Sequence, residues 1–234
     1  NQALRLRRDP KAFRVFGYIC RVTNRPLFSV VMPVFLGEYS SNAGDSAKDK
    51  VGKFHRAVNS VMEQSLTSWE LVIVVDGCPV AEWEAQRYAH NPAVRVLTID
   101  KQRTWSPEVR NAGLKAAMGS YAIYLDADDV YGPDHLGTVA AALQEAEWPT
   151  WGAMDEWVWD RELDQWKNRM VSQLFANKKE HGWHAGTPNI VHRTDVGLLW
   201  PAIEFRYPNF GYAKEDRAMV KELQARGEGT YIPG

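Results

Sequence analysis

Two stretches of this chain, LFSVVMPV (Leu27 to Val34) and ELVIVVDG (Glu70 to Gly77), carry apolar residues with almost no alternation. A strand with one wet face alternates apolar and polar side chains, so runs like these belong to strands covered on both faces. Strands of that kind pair in parallel and are joined by helices that pack on the sheet. The rest of the first half agrees. Phe54, Ala57, Val58, Val61 and Met62 recur at helical spacing, and VRVLTID (Val94 to Asp100) is a weaker third strand. Pro107 opens a helix that runs to about Met118, ahead of Gly119. YAIYL follows as a strand, and Leu136, Val139, Ala140 and Leu143 mark the next helix. The polar stretch GEYSSNAGDSAKDKVG between the first strand and first helix is a loop.

After Pro149 the texture changes. WGAMDEWVWDRELDQWKNRMV alternates and is rich in Trp, which predicts a hairpin turning near Glu162 to Asp164. TPNIVHR is a returning strand, and KEDRAMVKELQARG a terminal helix with Gly227 as its C-cap. The expected organisation is a basic arm, residues 1–25, followed by one α/β domain over 26–234. About 26–132 form a nucleotide-binding-type first half and about 133–234 a smaller, more irregular second half.

Charge separates the arm from the body. Residues 1–25 hold seven Arg or Lys and one acid, whereas the remainder has 21 basic against 28 acidic residues. With Leu4, Phe13, Phe16 and Ile19, the arm suits either packing on the domain or peripheral contact with an anionic membrane surface. The acidic body argues against nucleic acid as a partner. No apolar run approaches the ~20 residues of a bilayer-spanning helix. Cys20 and Cys78 make neither a disulfide framework nor a cysteine zinc site, so the cytoplasm is the expected compartment.

The second strand ends at Asp76, and YAIYL ends in Asp126, Ala127, Asp128 and Asp129. Open parallel sheets bind ligands at the carboxyl ends of their strands. Two strands thus bring acids to one edge, and alternation along an extended chain points Asp126 and Asp128 the same way. Such carboxylates are the hard oxygen donors that Mn²⁺ or Mg²⁺ takes, with phosphate oxygens and water. The alternative is structural, with Asp128 or Asp129 capping the helix that begins near Pro133. His181, His184 and His192 are further candidate metal ligands, His192 foremost because its strand is expected to run towards the site. Trp151, Trp157, Trp159, Trp166 and Trp183 are either core or flat faces for a sugar or lipid.

This order of elements resembles glycosyltransferase family 2. The resemblance runs from FSVVMPVF through AVNSVMEQS, ELVIVVDG and VRNAGLKAAMGSYAIYLDADD to NIVHRTDVG and GYAKEDRAMVKEL, that is, about Leu27 to Ile232. It implies a GT-A fold and an inverting, metal-dependent transfer of sugar from a nucleotide-sugar donor, most simply a UDP-sugar. The DADD element looks like the family's DxD motif and KEDR like its C-terminal acidic motif. By that resemblance Pro33, Val34 and Phe35 line the nucleoside pocket, Asp76 accepts a hydrogen bond from the base, Asp126 approaches the ribose and Asp128 ligates the metal. Asp216 is the general base, with Glu215 beside it. The chain departs from the pattern at Asp76-Gly77-Cys78-Pro79, where many members have Asp-Asp-Gly-Ser, and at Leu36, where Asn is common.

Arg103 and Arg110 add guanidinium groups suited to the diphosphate. A carboxylate base is needed because an acceptor hydroxyl is too weak an acid to react unaided. The acceptor is a carbohydrate, a lipid-linked glycan or another hydroxyl compound. Competing readings are a sugar-1-phosphate nucleotidyltransferase, for which PVFLGEYSS lacks the Gly-rich basic loop, and an inactive sugar-binding module.

Overall fold

The computed structural model describes residues 25–38, 48–102, 107–154, 156–160, 165–169, 189–201 and 214–232. Strands β1 (Phe28–Val34), β2 (Trp69–Asp76), β3 (Val94–Ile99) and β4 (Tyr121–Tyr124) form a parallel array. Helices α1 (Lys50–Met62), α2 (Pro79–Gln86) and α3 (Pro107–Ala116) connect them. Helix α4 (His135–Glu145) leads to β5 (Trp151–Met154), the pair β6 (Glu156–Asp160) and β7 (Gln165–Arg169), and β8 (Ile190–Arg193). Helix α5 (Lys214–Arg226) then leads to β9 (Gly229–Ile232). The main sheet has seven strands in the order β3-β2-β1-β4-β8-β5-β9, so strands from both sides of residue 132 share it.

Both faces of the sheet are covered, as the unbroken apolar runs require. Phe28, Val30, Met32 and Val34 of β1 pack with Phe54, Ala57, Val58 and Val61 of α1, Ala81 and Ala85 of α2, and Leu136, Val139, Ala140 and Leu143 of α4. Val31 faces the other way, into a cluster with Tyr124, Trp151, Trp200, and Met219, Val220 and Leu223 of α5. Val72 and Val74 meet Val109 of α3 on that same side. Leu71 to Val75 are five consecutive fully buried aliphatic residues. Each contributes roughly 1.5–3 kcal/mol of burial.

At the edge where the parallel strands begin, one buried carboxylate organises the chain. Glu70 accepts hydrogen bonds from Ser29 Oγ at 2.5 Å and from the Met118 amide at 2.5 Å, and pairs with Arg95 at 2.9 Å. Ser29 Oγ in turn accepts from the Gly119 amide at 2.8 Å. The starts of β1, β2 and β4 are thereby locked together, and the buried charge has several partners, which burial demands. Arg25 donates its Nε to the Met118 carbonyl at 2.8 Å, and the rest of the basic arm lies outside the described residues.

The structure departs from the sequence reading in several places. Helix α2, opened by Pro79, was not expected; its hydrophobic face is short, Ala81 and Ala85 only. Of the Trp-rich stretch, only β6 and β7 form the expected hairpin, whereas Trp151 to Met154 join the main sheet between β8 and β9. The sheet itself is mostly parallel, as expected from the sequence, with β8 antiparallel to both β4 and β5. Gly227 is not among the glycines at positive φ, so it does not cap α5 in the left-handed conformation. It is needed there because a Cβ would lie 2.3 Å from Thr150 Oγ1.

Two histidines, His192 in the core and the partly buried His135 at its margin, are held in neutral form. Burial pushes His135 and His192 down to about 4, below the ~6.5 of an unfolded histidine. Between those values the unfolded chain binds protons that the native state does not, so stability falls as pH drops from about 6.5 towards 4. Urea unfolding across that window is expected to show this loss. His135→Phe with His192→Phe should flatten it; an unchanged slope would mean the acid sensitivity lies elsewhere.

Candidate active site

The sheet order brings the carboxyl ends of β2, β1 and β4 side by side. Val34 pairs in register with Val75, which puts Asp76 level with Phe35, and Tyr124 pairs with Val31, two residues before Asp126. Asp76 and Asp126 therefore flank the end of β1 on a common edge, as the sequence implied.

On the β2 side, Asp76 is buried and its carboxylate is already engaged. It accepts from Lys101 Nζ at 2.5 Å and from the Gln102 amide at 2.7 Å. Gly77 makes this possible. At φ +54° it turns the chain away, and a Cβ there would lie 2.4 Å from the Lys101 amide. The Lys101 ammonium also lies 4.5 Å from the centre of the Phe35 ring. Lys50, which donates to the Gly37 carbonyl, lies 6.0 Å from that ring. An acceptor, a donor and an aromatic wall thus stand together, the groups a nucleobase edge needs.

On the β4 side the acids form a turn, not an extended run. The Asp129 amide donates to the Asp126 carbonyl at 3.1 Å, so alternation no longer decides where the side chains go. Asp126 receives Arg110 Nη2 at 3.0 Å, and Arg110 is itself buried. Arg110 therefore serves Asp126 rather than standing open to a diphosphate. Asp128 is exposed by area yet crowded on its protein side. That desolvation, followed by the negative charge of Asp126, raises its carboxyl above the usual range, and Lys53 opposes the shift. Neither Asp128 nor Asp129 caps the next helix. Helix α4 begins at His135, after Asp134, with no side-chain cap.

The turn is fastened from below by α1 and its C-terminal extension. Gln64 donates to the Gly132 carbonyl at 2.6 Å and accepts the Leu136 amide at 2.8 Å. Ser60 Oγ accepts the Tyr131 amide at 3.1 Å, and the Tyr131 hydroxyl donates to the Tyr124 carbonyl at 2.7 Å. These bonds hold the DADD turn to a rigid helix, so its carboxylates keep their place.

His192 is not at this edge. Strand β8 runs away from it, and the register pairs His192 with Ala122 and Trp151. Both ring nitrogens are taken: Nδ1 donates to the Arg193 carbonyl at 2.9 Å, and Nε2 accepts the Tyr124 hydroxyl at 2.7 Å. A metal role for His192 is thus corrected to a structural one. Trp151 is core. Arg103, His181, His184 and Trp183 lie outside the described residues, as do the side chains of Trp157, Trp159 and Trp166.

Glu215 and Asp216 fall in the first turn of α5, with their side chains outside the description. The helix ends beside Trp151, whose indole Nε1 donates to the Gly227 carbonyl at 3.2 Å, and β9 then starts level with Trp151. Since β9 runs parallel to β5, and through β8 to β4, it starts at the sheet edge opposite the carboxylates, and α5 ends close by. Lys101, Gln64, Tyr131, Asn111 and Trp200 were missed from sequence. Only Lys101 had a readable signal, as a cation just past the end of a strand whose neighbour ends in Asp76.

Among solved structures, S. aureus TarS 1–349 in complex with UDP-GlcNAc superposes with TM-score 0.62 at 17% identity, over 88% of this chain and 58% of that one. The mannosyltransferase PcManGT of Pyrobaculum calidifontis, in complex with GDP-Man and Mn²⁺, gives 0.58 at 14% over 95% and 63%. These likenesses establish the GT-A fold. In sequence, the glycosyltransferase YibD of Escherichia coli K12 is 26% identical over 62% of this chain and 39% of the relative. The succinoglycan biosynthesis protein ExoO of Rhizobium meliloti is 38% identical over 35% and 23%. The chain spans less than half the length of either relative. The model of glycosyl transferase family 2 matches residues 50–199, from the first helix to the strand that completes the centre of the sheet, and the chain belongs to that family.

Proposed function

We propose that this chain binds a UDP-sugar at the carboxylate edge and transfers the sugar, with inversion at its anomeric carbon, to an acceptor hydroxyl. The observation that carries the reading is the meeting of Asp76 with Asp126 and Asp128 at one sheet edge, where Asp128 is short of positive charge. The likeness to TarS, solved with UDP-GlcNAc and with UDP, supports a uracil nucleotide.

Asp76 would take an N–H of the base and Lys101 would donate to a neighbouring carbonyl, against the wall of Pro33, Val34 and Phe35. Arg103 would face the diphosphate. Asp126, Ala127 and Asp128 would line the path from ribose to phosphates. Asp126 and Asp128 fit a hard divalent ion, Mn²⁺ or Mg²⁺, by their oxygen donors and by the raised Asp128 carboxyl, and such an ion supplies neutralisation of the leaving diphosphate. Asp216, with Glu215 beside it, would accept the proton of the attacking hydroxyl. The bond to the new oxygen forms on the face opposite the departing diphosphate, which inverts the centre. A helix N-terminus favours a carboxylate, which suits an acid in the first turn of α5. The acceptor would be a carbohydrate, lipid-linked or other hydroxyl compound. The basic arm would hold the enzyme at the cytoplasmic face of a membrane.

Calorimetric titration with UDP and with GDP, each with and without Mn²⁺, tests the donor side. UDP is expected to bind in a Mn²⁺-dependent way, and Asp128→Ala is expected to abolish that dependence without lowering Tm. A variant that keeps it would remove Asp128 from the metal site. For the base, Asp216→Asn should lower transfer by at least about a hundredfold while leaving UDP-sugar affinity near the parent's. If Asp216→Asn transfers normally and Glu215→Gln does not, the base is Glu215; activity in both sinks the assignment. For the arm, co-sedimentation with vesicles containing anionic lipid should weaken with salt and on deletion of residues 1–24. Equal sedimentation of the truncated chain would sink the membrane role.

A further inference from the structure

Between the donor edge and the second half of the chain lies a buried aromatic contact that the assignments above leave unused. Trp200 is almost wholly buried and belongs to no regular element. Its backbone is gripped at two points by one side chain of α3. Asn111 Nδ2 donates to the Trp200 carbonyl at 2.9 Å, and the Trp200 amide donates to Asn111 Oδ1 at 2.7 Å. A side-chain amide satisfying both backbone groups of a residue fixes its position and its orientation together. The indole then meets two partners. Tyr124 stands edge-on at 5.1 Å and 89°, and the Arg110 guanidinium lies over the ring with Cζ 4.9 Å from its centre. Arg110 is the group that reaches Asp126.

We propose that Trp200, latched by Asn111, is a positioning residue for the donor site and acts through Arg110. Arg110 and Asn111 are adjacent on α3, so one helix turn holds both ends of the arrangement. The ring is held from its backbone side and the guanidinium is laid against its face. A planar cation stacked on an indole loses the freedom to swing, and its remaining edge is presented to Asp126 in one direction. That direction decides where the Asp126 carboxylate rests beside Asp128. The same latch anchors the chain just before the segment that leads to the helix of Glu215 and Asp216. Trp200 also shares a cluster with Met219, Val220 and Leu223 of that helix.

The inference rests on the donor reading above, and its test separates the two. A double-mutant cycle is built from Trp200→Leu and Arg110→Lys, since lysine keeps the charge but not the flat stack. Mn²⁺-dependent UDP affinity is read by calorimetry and stability by urea unfolding. Trp200→Leu is expected to weaken Mn²⁺-dependent UDP binding about tenfold, with metal-free binding near the parent's. Trp200→Phe, which keeps an aromatic face, should recover most of the loss. The double variant should be little worse than either single one. Should Trp200→Leu fail to fold, Asn111→Ala releases the latch from a less buried position, and a loss in the same sense is expected. Additive effects in both readouts, or parental binding by Trp200→Leu, would overturn the proposal. A parent that binds no nucleotide would instead overturn the donor reading, and the cycle in unfolding stability would still decide whether Trp200 and Arg110 are coupled.

Discussion

Strands β1 and β2 are covered on both faces, and a strand in that position can place charge only at its ends. Much of the molecule follows from this constraint. At one edge the charge is used for construction. Glu70, with Ser29, Arg95 and the amides of Met118 and Gly119, ties the beginnings of three strands together. At the other edge lies the charge proposed for chemistry. Asp76 and the DADD turn stand where the strands run out, each with a cation beside it. Glu70, buried with four partners, and Asp126, partly exposed and paired among the described residues with Arg110, are carboxylates in two different settings, and burial separates them.

The acidic edge is supported more than it is crowded. Gln64, Ser60 and Tyr131 hold the backbone around the turn, and Arg110 pairs with Asp126. Asp128 is left with a raised pKa because its nearest strong influence, apart from lost solvent, is another negative charge. Such an arrangement suits the divalent ion proposed for it, since a nearby positive charge favours the ionised carboxylate.

Much of this was legible in the sequence where one physical rule governed. The unbroken runs of β1 and β2 announced a doubly covered parallel sheet. Phe54, Ala57, Val58 and Val61 announced the face of α1. The acids after Val75 and Leu125 announced the edge. Legibility failed where two rules competed or where contacts were long-range. Asp126 to Asp129 read as an extended continuation by alternation, yet the chain turns there. Helix α2 buries only two alanines and gave little period to see. WGAM carried the same alternation as the hairpin beside it, but its partners are β8 and β9, and no local pattern separates a strand that pairs with its neighbour from one that pairs with the far end of the chain. His192 was placed by an expected strand direction, towards the site, whereas β8 is antiparallel to β4 and runs away from it. Asn111 and Trp200 stand 89 positions apart, and nothing local in either predicts the other.

The insertion of β8 beside β4 has a consequence for how the chain can be divided. Tyr121 to Tyr124 are buried, with β1 on one side and the antiparallel β8 on the other. A fragment ending near residue 132 would keep every donor-side acid but would expose β4 as a bare edge, with unpaired amides and carbonyls beside apolar side chains. Such an edge recruits other strands, including copies of itself. The two halves therefore share one sheet and are not separate modules. A cut or a fusion point placed between them should yield aggregation before it yields two working pieces.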